Sequence, residues 1–137
     1  LILSFILSHA FNLLLDYLDE KGIKAAITTS SPLERVERYL GPHGLLERFT
    51  HLCSGADMAR GKPEPDIYLH GAACLGLKPE ECLAVEDSPA GVLSAYRAGC
   101  RTVMVPDLDH PDDDTEKLLF AKADSLVDMR GLLDRLK

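Results

Sequence analysis

Positive charge is scarce in this sequence: 15 lysines and arginines stand against 22 aspartates and glutamates, a formal charge of −7 over 137 residues. A nucleic-acid backbone or an anionic membrane needs a basic face, so both are excluded as partners. Long apolar runs are also lacking. Leu1 to Leu7 is nearly all apolar, but Ser8, His9, Asn12 and Asp16 follow too soon for a span of about 20 residues. No basic residue precedes that run, as a secretory signal requires. Cys53, Cys74, Cys82 and Cys100 contain no C-x-x-C pair, which speaks against a zinc site and for reduced, buried thiols in a cytoplasmic protein. Two phosphate-binding fingerprints are missing as well. There is no G-x-G-x-x-G, and the stretch from Gly55 to Lys62 fails as a P-loop, because its glycines are one residue too far apart and Pro63 replaces the required hydroxyl.

What is present is the material of one globular domain. With 46% of residues hydrophobic, a chain of this length can bury a core without disulfides or metals. Phe11, Leu14, Leu15 and Leu18 fall at helical spacing, and Lys21-Gly22 predicts the stop. The apolar run Ile23 to Ile27 reads as a strand, and Ser31-Pro32-Leu33-Glu34 as a capping box opening the next helix. Further on, a helix is predicted from Pro65 to Gly76, a strand from Cys82 to Val85, a helix from Ser88-Pro89 to Gly99, and a strand from Thr102 to Val105. Asp107 to Thr115 reads as an acidic loop, and Asp124 to Leu136 as a last short strand and helix. This alternation predicts parallel βα units in an open α/β sheet.

Ligands of such sheets bind beyond the carboxyl ends of the strands, so three segments carry the chemistry. The hydroxyl cluster Thr28-Thr29-Ser30-Ser31 offers hydroxyls and backbone N–H groups to an anion, or simply caps a helix. Lys62, held between Gly61 and Pro63, can set a full charge against a phosphoryl oxygen, or be an ordinary solvated lysine. Glu86-Asp87 at a strand end repel one another unless a cation compensates, for which magnesium is suited; alternatively Asp87 caps the following helix and Glu86 faces solvent.

Taken together, Ala25-Ala26-Ile27-Thr28-Thr29-Ser30, Gly61-Lys62-Pro63-Glu64-Pro65-Asp66, Leu83-Ala84-Val85-Glu86-Asp87-Ser88-Pro89-Ala90-Gly91 and Ala98-Gly99-Cys100 resemble the haloacid dehalogenase superfamily. The similarity is to its branch of β-phosphoglucomutase and small sugar-phosphate phosphatases, from about Phe11 onward. It implies a three-layer, Rossmann-like α/β core and magnesium-dependent phosphoryl transfer on a small phosphorylated metabolite, as a phosphatase or a phosphomutase. It further implies that Thr29 and the Ser30 N–H bind the phosphoryl group, that Lys62 balances its charge, and that Glu86 and Asp87 hold Mg2+.

The resemblance also marks a departure. The family's Asp-x-Asp, whose first Asp is the nucleophile, does not precede Thr29, and neither does the cap that follows it. Asp107-Leu108-Asp109 follows a later strand and is a poor substitute. The opening on Leu1 rather than Met suggests that sequence precedes it. The expectation is therefore a divergent apolar segment at 1–10 and a partial core at 11–137, lacking the first strand and the cap. Residues 1–7 are expected either to fill the vacant strand slot or to mediate self-association. The chain alone is expected to be inactive and to bind magnesium weakly, with Lys62 turning to Asp87 as its counter-charge. The alternative is a truncated or split product serving as a phosphate-binding or protein-interaction module.

Overall fold

The computed structural model describes residues 2–3, 9–105, 111–123 and 128–135. Among the described residues six strands and six α-helices alternate: β1 (Ile2–Leu3), α1 (His9–Lys21), β2 (Ala26–Thr29), α2 (Leu33–Leu40), β3 (His51–Ser54), α3 (Asp66–Leu75), β4 (Leu83–Glu86), α4 (Pro89–Ala98), β5 (Arg101–Met104), α5 (Asp113–Glu116), β6 (Ala121–Lys122) and α6 (Asp128–Arg135). The strands form one parallel sheet in the order β3-β2-β1-β4-β5-β6. This is the expected α/β architecture.

Alternation along the strands distributes side chains between two faces. Ile27, Leu83, Val85 and Val103 point to one face, where α1 and α6 cover them with Leu14, Leu15, Leu18, Met129 and Leu132. Ala26, Cys53 and Ala84 point to the other, under α3 and α4, which contribute Tyr68, Ala72 and Ala95. Small residues dominate this second face and let the two helices lie close to the sheet. Tyr17 donates a hydrogen bond to Asp134, joining α1 to α6. Arg48 holds Asp16 and Asp19 of α1 at 2.7 and 2.6 Å. Among the described residues no helix is long and apolar enough to cross a membrane.

The central slot of the sheet is taken by Ile2–Leu3, paired on one side to Ala26 and Ile27 and on the other to Ala84 and Val85. Of the two roles expected for residues 1–7, the described pair takes the first. Helix α1 begins at His9, across the boundary expected after residue 10.

Several local expectations are corrected. The capping box at Ser31 does not form: Pro32 itself is the N-cap residue of α2, and the Ser31 N–H turns back to Thr29 Oγ1 at 3.1 Å. Strand β3 was not anticipated. It forms because the outer edge of β2 offers four backbone partners, Ala26 to Thr29, to His51 to Ser54. Ala121–Lys122 forms a short strand that was not anticipated, residues 124–127 of the stretch expected to hold the last strand lie outside the described residues, and the acidic loop contains the short helix α5, capped by Asp112. Asp107-Leu108-Asp109 lies outside the described residues.

Candidate functional site

Strand order 3-2-1-4-5-6 reverses direction between β1 and β4, and such a switch opens a crevice at the carboxyl edge of a parallel sheet. The register sets what stands beside it. Leu3 is paired with both Ile27 and Val85. Thr29 ends β2 and Asp87 directly follows β4, so the two stand at the carboxyl edge on either side of the central strand. Thr29 is half-buried at the end of β2, and Ser30 follows it, exposed. Ser54, paired in register with Thr29, donates its hydroxyl to the Ser31 carbonyl at 2.7 Å. That bond fastens the turn after β2 to the end of β3.

Lys62 reaches the site from the loop before α3. Its Nζ lies 2.7 Å from Glu86 Oε1, with 11% of its own side chain and 1% of that of Glu86 exposed. The carboxylate expected to receive Lys62 was Asp87; the ion pair observed is with Glu86. Its position follows from alternation: Glu86 continues the Ala84 face of β4 and so runs beneath α3 and α4 rather than toward solvent. Two contacts set the Lys62 loop, whose Lys62-Pro63 peptide is cis: Ser94 Oγ donates to the Glu64 carbonyl at 2.6 Å, and Arg97 reaches Glu64 at 3.3 Å. The loop that carries the lysine is thus fastened to α4.

Two members of the site were not recognised from the sequence. Tyr68, fully buried on α3, donates its hydroxyl to Glu86 Oε1, and Lys62 Nζ lies 5.5 Å from its ring centre. Burial above all, then the Glu86 charge, holds the Tyr68 phenol well above its ordinary value of 10.0, so it is a neutral donor. A buried tyrosine needs a partner for its hydroxyl, and that was the available signal. Gly91 is the second. A methyl group there would lie 2.5 Å from Glu86 Oε1 and nearer still to Cδ and Oε2. The carboxylate is seated directly on the first turn of α4, whose Gly91 N–H is capped by Ser88 Oγ at 3.2 Å. A glycine inside a helix, unfavourable by propensity, was the sign of this close approach.

The donor set is compatible with a hard divalent cation. Glu86 Oε2 is buried with no hydrogen-bond partner among the described residues, and half-buried Asp87 follows it at the same strand end. Two adjacent carboxylates supply the oxygen ligands that magnesium prefers. The Lys62 ammonium already neutralises part of that charge, which opposes binding of a second cation.

Residues 5–99 match the family model of haloacid dehalogenase-like hydrolases. The chain is 46% identical over 94 residues to hexitol phosphatase A of Escherichia coli K12, covering 67% of this chain and 42% of that protein. It is 33% identical over 110 residues to hexitol phosphatase B of the same organism, covering 80% and 50%. Among solved structures it is similar to a family hydrolase from Deinococcus radiodurans R1 with bound phosphate and sodium. The TM-score is 0.82 at 30% identity, over 93% of this chain and 59% of that one. A β-phosphoglucomutase-like protein from Thermotoga maritima gives 0.84 at 25% identity, over 95% and 61%. The chain spans about half the length of the two hexitol phosphatases. By sequence match, sheet order and superposition, it belongs to the haloacid dehalogenase-like hydrolases.

Proposed function

We propose that this chain carries the phosphate- and magnesium-binding side of a phosphohydrolase acting on a small phosphorylated metabolite, of the sugar- or sugar-alcohol-phosphate class. The buried Lys62–Glu86 pair at the carboxyl edge of the sheet carries this reading. A lysine held almost out of water at a strand-end crevice is a fixed positive charge, and phosphoryl transfer depends mainly on positioning and charge stabilisation. In this reading the Thr29 hydroxyl and the Ser30 N–H hold phosphoryl oxygens, and Lys62 balances their charge. Tyr68 and Gly91 act through Glu86 as positioning residues. Glu86 and Asp87 would hold magnesium, which when bound supplies further charge neutralisation at the phosphoryl group. The relatives named hexitol phosphatase support the substrate class.

A second reading is a phosphate-binding or protein-interaction module without turnover. It draws support from the central slot, where the described residues are apolar Ile2 and Leu3. Both edges of Ile2–Leu3 are already paired, so strand addition there is closed to a second copy.

Calorimetric titration with inorganic phosphate, with and without magnesium, followed by an aryl-phosphatase assay, tests the reading. The 137-residue chain should bind phosphate, lose that binding on Lys62→Ala while Arg135→Ala leaves it intact, and release no phosphate above background. Binding untouched by Lys62→Ala would refute the assigned site. Turnover abolished by Asp107→Asn would show that the later Asp-x-Asp supplies the nucleophile.

A further inference from the structure

Away from the crevice, three side chains with metal-binding atoms meet between β3 and α3. His70 and Cys74 are four residues apart on α3 and so share one face of the helix. Cys53 lies on β3, on the sheet face that α3 covers. Their sulfur and nitrogen atoms all lie within 4.8 Å of one another. We propose that Cys53, His70 and Cys74 form a three-ligand site for a thiophilic divalent cation, zinc in particular, with its fourth position open to solvent.

The geometry is close to what the ion needs. With Zn–S about 2.3 Å and Zn–N about 2.0–2.1 Å, the S···N edge of a tetrahedron is about 3.5 Å. Cys74 Sγ and His70 Nε2 are 3.5 Å apart. Burial is graded across the three, with Cys53 buried, Cys74 half-buried and His70 exposed. An ion seated among them therefore has protein behind it and room for a water in front. The charges also match. Two thiolates and a neutral imidazole exactly offset a divalent cation, so the edge of the core gains no net charge. Binding displaces two protons, one from each thiol. Without an ion the Cys53 proton is firmly held, because burial and then the neighbouring Cys74 push that thiol up to about 12.

The absence of a C-x-x-C pair hid this site, because its ligands come from a strand and a helix joined by the Lys62 loop. Its consequence is mechanical. Among the described residues β3 is an edge strand, paired with β2 alone, and the ion would fasten it to α3. Ser54, which holds the turn after Thr29, directly follows Cys53. The site shares no residue with the phosphate-binding proposal, so each stands or fails separately.

Cobalt substitution tests it on the reduced, chelator-treated chain. Co2+ should bind with a stoichiometry of one, giving the thiolate-to-metal charge-transfer band and the intense visible bands of tetrahedral coordination, both removed by zinc. Cys74→Ala should abolish the charge-transfer band, and Cys82→Ala, outside the cluster, should preserve it. His70→Ala removes an exposed side chain and leaves the core intact. It should weaken binding by at least the roughly 10–100-fold that follows loss of even a supporting partner of a ligand. Zinc should raise the melting temperature of the parent chain, as any ligand of the folded state does, and not that of Cys74→Ala. A spectrum showing only oxygen ligation, or affinity unchanged in His70→Ala, would overturn the proposal.

Discussion

Replacing Gly91 by alanine probes how firmly the Glu86 carboxylate is seated. At an exposed helical position the change would be favourable by about 0.5–1 kcal/mol, since alanine is the better helix former. Here the new methyl would overlap Cδ and both oxygens of Glu86. That group cannot retreat easily, because Lys62 and Tyr68 hold Oε1 and the side chain is fully buried. Overpacking costs about 1–3 kcal/mol, and three overlapping atoms put this case near the upper end. Subtracting the helix gain leaves a net loss of about 2 kcal/mol, or roughly 6–8 °C in melting temperature for a chain of this size. Urea denaturation of the parent, Gly91→Ala, Glu86→Ala and the double variant closes a cycle that isolates the contact. With Glu86 shortened, Gly91→Ala should become neutral or stabilising. A Gly91→Ala variant as stable as the parent would show that the carboxylate yields without loss and that the close approach does not hold it.

Two further perturbations read other parts of the fold. Ser88→Ala removes the side-chain acceptor of the Gly91 N–H and should cost about 1 kcal/mol in a urea titration; no change would mean that solvent caps α4 equally well. Stability should also fall in alkali. The Cys53 and Cys100 thiols are raised from 9.0 to about 12, mainly by burial, and Tyr68 is raised above 10.0. Groups whose folded values are raised contribute stability that is complete below the unfolded value and is lost as pH climbs toward the folded one. The melting temperature of reduced, metal-free protein should therefore hold up to about pH 9 and fall between about 9 and 12; a flat profile through that window would contradict the burial of these groups.

Much of the site was legible because its signals are local. Gly76 and Gly99 end α3 and α4 in the left-handed conformation that glycine favours, and Ser88-Pro89 opens α4 as read. The buried strand before Glu86-Asp87 is visible as an apolar run. β3 was not visible: His51 is exposed and Leu52 only half-buried, so four residues carry no clear alternation, and the pairing edge of β2 makes them a strand. The capping box failed for a similar reason. Ser31 has the right neighbours in sequence, but the turn after β2 directs its N–H to Thr29.

The sequence by itself determined the fold class, the order of most helices and strands, and the residue types gathered at the strand ends, because periodicity, caps and turns act over a few residues. Tertiary structure alone decided which of those residues touch. Strand alternation turned Glu86 inward, and this gave Lys62 its counter-charge, Tyr68 its acceptor and Gly91 its reason to be glycine. The crossover from β3 to α3 brought Cys53 against His70 and Cys74. Contacts of this kind depend on register and on the layering of helices over the sheet, which are properties of the packed chain and not of any short stretch of it.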